Sequence, residues 1–267
     1  MTCSRFIQLP EQRALSVFCT AGYPRLRDTV AVVSALQASG VDMVEVGFPF
    51  SDPVADGPTI QESSLAAIRN GMSVEVLFAQ LRELRSGEVT LPILLMGYLN
   101  PIEQYGRERF FSDAAQCGVD GLILPDMPFH EYQVRFKPLY EKHGLKPVFL
   151  VTSRTEPERI RAFDAERPAF LYVLSSDAVT GGRATVTGDR EAFFRRLREM
   201  RLNSRLIVGF GVSDRDSFNA VTRFTDGAII GSAFLRAIAS LPAGATADES
   251  DRKELREAVS KFVQQVR

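Results

Sequence analysis

Short apolar runs rich in β-branched residues recur along the chain and alternate with longer amphipathic stretches. The runs are ALSVFCT (14–20), DMVEV (42–46), LPILLM (91–96), DGLILP (120–125), KPVFLV (146–151), AFLYVL (169–174), SRLIVGF (204–210) and DGAIIG (226–231). Each is short enough to be a strand and apolar enough to be covered on both faces. Between them the apolar positions fall at helical spacing: Val30, Val33 and Leu36 precede the second run, and Val74, Leu77, Leu81 and Leu84 precede the third. Repeated strand and helix predict an α/β fold with parallel strands, because a parallel connection needs a crossover that a helix supplies. Closure into a (β/α)8 TIM barrel is the simplest arrangement, with a doubly wound open sheet as the alternative. A polar stretch at 240–251 precedes a last apolar stripe, Leu255, Val259, Phe262, Val263 and Val266, which predicts a helix covering the outside of the barrel. Arginines at 193–201 fall on a helical face and are expected to be solvated.

The chain has 267 residues, and one TIM barrel commonly takes about 250, so a single domain over 1–267 with extra helices is expected. A formal net charge of −1 excludes an overall basic field of the kind that gathers nucleic acid or an anionic membrane. No apolar run reaches the roughly 18 residues of a membrane span. The first residues, MTCSRFIQLPEQR, lack the apolar centre of a secretory signal, and Cys3, Cys19 and Cys117 share no metal-ligand spacing, so a cytoplasmic location is expected. With only His130 and His143, a histidine metal site and a Ser-His-Asp arrangement are both disfavoured.

Active sites of TIM barrels lie at the carboxyl ends of the strands. Alternation along the second run puts Met43, Glu45 and Gly47 on one face, so Glu45 sits near that end among apolar neighbours. Burial would raise its pKa into the range useful for proton transfer; a structural ion pair is the competing reading. The following loop, GFPFSDPVADGPT (47–59), places Asp52 and Asp56 between prolines that stiffen the chain, although Asp-Pro and Asp-Gly are also common turn pairs. Glycine clusters Thr180-Gly181-Gly182, Gly209-Phe210-Gly211 and Gly231-Ser232 follow three consecutive strands, where bare N–H groups suit a phosphate. The segment 177–190 is long and polar, as a closing lid would be. Phe18, Tyr98, Tyr172 and Phe210 end or follow strands and are placed to wall a planar apolar group, or simply to fill the top layer of the barrel. None of the five lysines falls at the carboxyl end of a run, which excludes Schiff-base catalysis, and no cluster suits a divalent metal. Acid–base work on a phosphorylated substrate is the reading these residues leave, with another phosphate-binding barrel enzyme, such as a sugar-phosphate isomerase, still open.

The segment VEVGFPFSDPVADGPTIQ (44–61) closely resembles the second-strand motif of the tryptophan synthase α subunit family. FCTAGYP (18–24), LLMGYLNP (94–101), GLILPDMP (121–128), VTGGR (179–183), GFGVSD (209–214) and IIGSA (229–233) extend the resemblance across the barrel. It implies retro-aldol cleavage of indole-3-glycerol phosphate to indole and glyceraldehyde 3-phosphate in L-tryptophan biosynthesis. It also implies no cofactor in this chain and a pyridoxal-phosphate β subunit as partner, two α with two β chains. By that resemblance Glu45 is the proton shuttle and Asp56 holds the indole N–H. Gly181, Gly211, Gly231 and Ser232 would hold the phosphate, Phe18, Tyr98, Tyr172, Phe210 and Thr180 would surround the indole or the lid, and Asp52, Pro53 and Asn100 would face the β subunit. The chain departs from the family at Ala178, where glycine is usual, at Ser176, where arginine is common, and at His130, where an acid is common.

Overall fold

A computed structural model describes residues 5–174, 188–209, 211–239 and 249–267. Among them are eight strands: β1 (Ala14–Thr20), β2 (Met43–Gly47), β3 (Ile93–Met96), β4 (Gly121–Ile123), β5 (Lys146–Val151), β6 (Leu171–Leu174), β7 (Leu206–Gly209) and β8 (Gly227–Ile230). They pair in chain order, all parallel, and β8 returns to β1, so the sheet closes as a barrel and the open-sheet alternative is excluded. Strand boundaries follow local chemistry. β3 begins at Ile93 because Pro92 has no N–H to give, and the Pro92 carbonyl instead accepts the N–H of Val44 at 3.0 Å.

Helices fill the crossovers. α1 (Asp28–Ala38) joins β1 to β2, and α2 (Pro58–Arg69) with α3 (Val74–Ser86) joins β2 to β3. α4 (Leu99–Tyr105) and α5 (Arg107–Gln116) lead into β4, and α6 (Phe129–Glu131) and α7 (Lys137–His143), linked by a π-helical turn, lead into β5. α8 (Pro157–Ala165), α9 (Gly188–Glu199) and α10 (Arg215–Thr222) complete the alternation, and α11 (Ser232–Ala239) and α12 (Glu249–Val266) follow β8. Leu77, Leu81 and Leu84 are buried on α3, as are Val33 and Leu36 on α1, matching the helical spacing. The last helix starts at Glu249, inside the stretch read as polar linker, and its whole predicted stripe from Leu255 to Val266 is buried against α1, α10 and α11. The arginines of 193–201 reach back to the barrel more than expected. Arg196 donates to the Ser153 carbonyl at 2.9 Å, and Arg198 pairs with Asp226 at 3.0 Å.

The amino-terminal end of the barrel is held by aspartates at strand entries. Asp42 accepts the N–H of Leu15 at 2.8 Å, Asp120 that of Ile93 at 2.9 Å and Asp226 that of Leu206 at 2.8 Å, each tying one strand to its neighbour. Asp120 is also paired with Arg5 at 2.8 Å and Arg85 at 2.9 Å. This end carries structural polarity, and Lys146 opens β5 there, far from the mouth.

Candidate active site

Pairing register decides which side chains share the barrel interior, because residues side by side in parallel strands point the same way. Phe18 lies beside Glu45, and Glu45 beside Leu94; Ser16 lies beside Met43. Glu45 therefore points inward from β2 near its carboxyl end, as alternation predicts, and is fully buried. Its Oε1 accepts a hydrogen bond from the Ser16 hydroxyl at 3.2 Å, and Oε2 has no hydrogen-bond partner among the described residues. No cation pairs with it there, so the ion-pair reading is not borne out among the described residues. Burial pushes its carboxyl up to about 8, against the smaller lowering effect of the Ser16 hydrogen bond.

Asp56 is placed by the stiff loop. Its N–H donates to the Pro53 carbonyl at 3.0 Å, and its own carbonyl accepts from Gln61 at 2.8 Å, while Pro58 opens α2 two residues on. The carboxylate is buried and accepts the Tyr98 hydroxyl at 2.8 Å; that hydroxyl in turn accepts the N–H of Ala55 at 3.0 Å. Burial raises Asp56 to about 6, with the Tyr98 bond opposing the rise. Tyr98, read from sequence as an aromatic wall, is thus also the clamp that orients Asp56, a role no local pattern could reveal because the two are 42 positions apart. Asp52 lies on the exposed rim of the same loop beside Val54, which is 83% exposed.

Tyr172 connects the two acids. Its phenol is raised well above the usual value first by burial, then by the charges of Glu45 and Asp56, which places it within electrostatic range of both. Glycines at strand ends make room for the rings. A Cβ at Gly209 would stand 2.1 Å from the Tyr172 ring, and one at Gly47 would stand 2.6 Å from the ring of Phe18. Gly209, grouped from sequence with the phosphate cluster, is thus explained by packing against Tyr172. Phe18 on β1, Tyr98 just after β3 and Tyr172 on β6 are all at most 5% exposed.

Gly211 follows β7 with φ +80°, a conformation glycine adopts without strain. Gly231 follows β8, and its carbonyl accepts the N–H of Leu235 at 3.0 Å, so it caps α11, whose first residue is Ser232. The open first-turn N–H groups of α11 and the Gly211 turn lie at the ends of adjacent strands, a suitable cradle for an anion. Thr180, Gly181 and Phe210 lie outside the described residues, as do Ser176, Ala178 and most of the predicted lid; residues 188–190 of that stretch belong to α9. His130 sits on α6. Among the described residues no cluster of His, Cys, Asp or Glu is arranged to hold a metal ion, and no helix is long and apolar enough to cross a membrane. Ser16 is the polar residue of the site that sequence reading missed; the signal available was a hydroxyl two positions before Phe18 on the same strand face, a face that also carries Thr20.

Residues 6–267 match the family described as Tryptophan synthase alpha chain. A tryptophan synthase alpha chain of Parabacteroides distasonis is 48% identical over 237 residues, covering 89% of this chain and 92% of that protein. One from Flavobacterium psychrophilum is 47% identical, covering 85% and 89%. Among solved structures, tryptophan synthase subunit alpha from Legionella pneumophila superposes with a TM-score of 0.85 at 30% identity over 99% of both chains. Tryptophan synthase from M. tuberculosis in its aminoacrylate-bound form superposes with a TM-score of 0.80 at 29% identity, over 99% of this chain and 100% of that one.

Proposed function

The chain belongs to the tryptophan synthase alpha chain family, and from that premise we propose that Glu45 and Asp56 carry the family's reaction at the mouth of this barrel. The reaction is the lyase step of tryptophan biosynthesis, in which indole-3-glycerol phosphate is cleaved to indole and glyceraldehyde 3-phosphate. The observation that carries the assignment is a pair of buried carboxyl groups at the mouth, Glu45 with Oε2 unpartnered among the described residues and Asp56 held by the Tyr98 hydroxyl at 2.8 Å; burial pushes both up, to about 8 and about 6. Near neutral pH the first is mostly protonated and the second mostly ionised, the division of labour that separates an acid from an electrostatic partner.

The Glu45 carboxyl delivers its proton to indole C3, giving a ring cation whose N–H donates to the Asp56 carboxylate. The bond from C3 to the glycerol carbon then breaks. Its electron pair returns to the ring and restores aromaticity, the glycerol hydroxyl oxygen becomes the aldehyde carbonyl, and the hydroxyl proton passes to Glu45, restoring the acid. Gly211, Gly231 and Ser232, with Gly181, hold the phosphate through backbone N–H groups. Phe18, Tyr98 and Tyr172, with Phe210 and Thr180, wall the indole and exclude water, so that the charges act in a low dielectric.

The partner is a tryptophan synthase β subunit, in an assembly of two α and two β chains. Pyridoxal phosphate belongs to that β chain, and the α reaction needs no cofactor of its own. The chain works as a single domain in the cytoplasm. Indole released from indole-3-glycerol phosphate by the purified chain, alone and with the β subunit, tests this reading. Slow release that the partner accelerates is expected, and no release from folded protein in either case would overturn it.

A further inference from the structure

Position 16 lies inside the barrel, side by side with Met43 of β2 and Ile229 of β8, and is fully buried. A hydroxyl in such an apolar layer is costly unless bonded, and the Ser16 hydroxyl is donated to Oε1 of Glu45 at 3.2 Å. The other carboxyl oxygen, Oε2, has no such partner among the described residues. The two oxygens of one carboxyl group are therefore made unequal. An oxygen that already accepts a hydrogen bond is the poorer site for the acidic proton, so that proton resides on Oε2 when Glu45 is protonated.

We propose that Ser16 is a positioning residue for the cleavage: by holding Oε1 it fixes the Glu45 rotamer and leaves Oε2 as the atom that gives and recovers the proton. The proposal rests on the assignment of Glu45 as the proton carrier. The hydroxyl also favours the ionised carboxylate, opposing burial, so its removal is expected to move Glu45 further up. Titratable groups within electrostatic reach of Glu45 do not compete as causes of such a change. The Cys19 thiol on β1 is pushed up to about 12 and the Tyr172 phenol on β6 is raised well above its usual value, so both stay neutral through the working range. Leu94 and Met96 on β3 carry no charge, and Asp56 acts on the same Tyr172 phenol.

The test is the pH dependence of indole release from indole-3-glycerol phosphate by the full chain with Ser16→Ala, Ser16→Thr and Glu45→Gln. Ser16→Ala is expected to lower kcat roughly tenfold with KM within about twofold, and to move the alkaline limb of the kcat profile up by about one pH unit. Ser16→Thr, which keeps the hydroxyl, is expected to restore the wild-type limb. If Ser16→Ala does not fold, Ser16→Thr against Ser16→Val makes the same comparison, since those side chains differ in the hydroxyl and hardly in shape. A Ser16→Ala enzyme with wild-type kcat and pH profile, or one that loses only thermal stability or only KM, overturns the positioning role. Failure of the underlying assignment is separate: it would appear as turnover retained in Glu45→Gln, whereas an inactive Glu45→Gln beside an unaltered Ser16→Ala rejects the Ser16 role alone.

Discussion

Glu45 is kept in the barrel at a cost to the fold. Its folded pKa of about 8 lies above the ordinary 4.5, so the folded state binds the proton more tightly than the unfolded chain does. Stability from this group is fully present below about pH 4.5 and is lost as pH rises through about 8, where the penalty reaches on the order of 4 kcal/mol. Glu45→Gln is therefore expected to lower kcat by roughly 10²-fold or more while raising Tm, with the gain in Tm largest above pH 8 and closing toward pH 5. Thermal melts across that range check it, and a variant that is inactive and no more stable at high pH would reject the buried-acid account. Asp56 behaves likewise with a lower window. Tyr98→Phe removes the hydrogen bond that opposes its rise, so the acidic limb of kcat/KM, expected near pH 6 in the wild type, should move upward. Glu45 was legible in the sequence because strand alternation alone turns it inward. Its Ser16 partner, 29 positions away, and the Tyr98 clamp on Asp56 were not, since hydrogen bonds between distant segments leave no local periodicity.

At the scale of elements the two ends of the barrel do different work. The strand order and the helical faces were readable from apolar runs and their spacing, and errors were confined to ends, as where Pro92 delays β3 and where α12 starts inside the polar stretch. What could not be read was the purpose of a glycine at a strand end. Gly209 looks like a phosphate glycine in sequence, yet its missing Cβ is the space occupied by the Tyr172 ring. Gly209→Ala is expected to displace that ring and raise KM for indole-3-glycerol phosphate several-fold while a phosphate ion still binds, a contrast measured by competition of phosphate against substrate. At the opposite end, Asp120→Ala takes the carboxylate away from Arg5 and Arg85, which are left with backbone carbonyls alone, and leaves the Ile93 N–H without its acceptor. A loss of about 3 kcal/mol in denaturant unfolding is expected with kcat/KM nearly unchanged, because breaking a partly buried pair strands its partners. A matching fall in kcat/KM would mean that the amino-terminal end is coupled to the mouth.

For the whole molecule, a closed barrel with its acids sealed inside has to communicate through its rim. The loop that places Asp56 also carries Val54, which is 83% exposed, beside Asp52 and Pro53. An apolar side chain held on a stiff loop next to the buried Asp56 carboxylate is suited to report docking of the β subunit under the function proposed above, since the Asp56 N–H is bonded to the Pro53 carbonyl at 3.0 Å and the two ends of the turn are tied together. Val54→Glu is expected to weaken association with the β subunit by about 1–2 kcal/mol, since a charge would be buried against the partner, and to blunt the acceleration of indole release. Turnover by the isolated chain should stay close to wild type, because the side chain points to solvent when the partner is absent. Titration of β subunit into each protein, reading indole release, gives both quantities at once. Full acceleration at wild-type partner concentrations would move the docking surface away from this loop, and a loss of basal turnover equal to the loss of acceleration would show that the substitution acts on Asp56 within the chain.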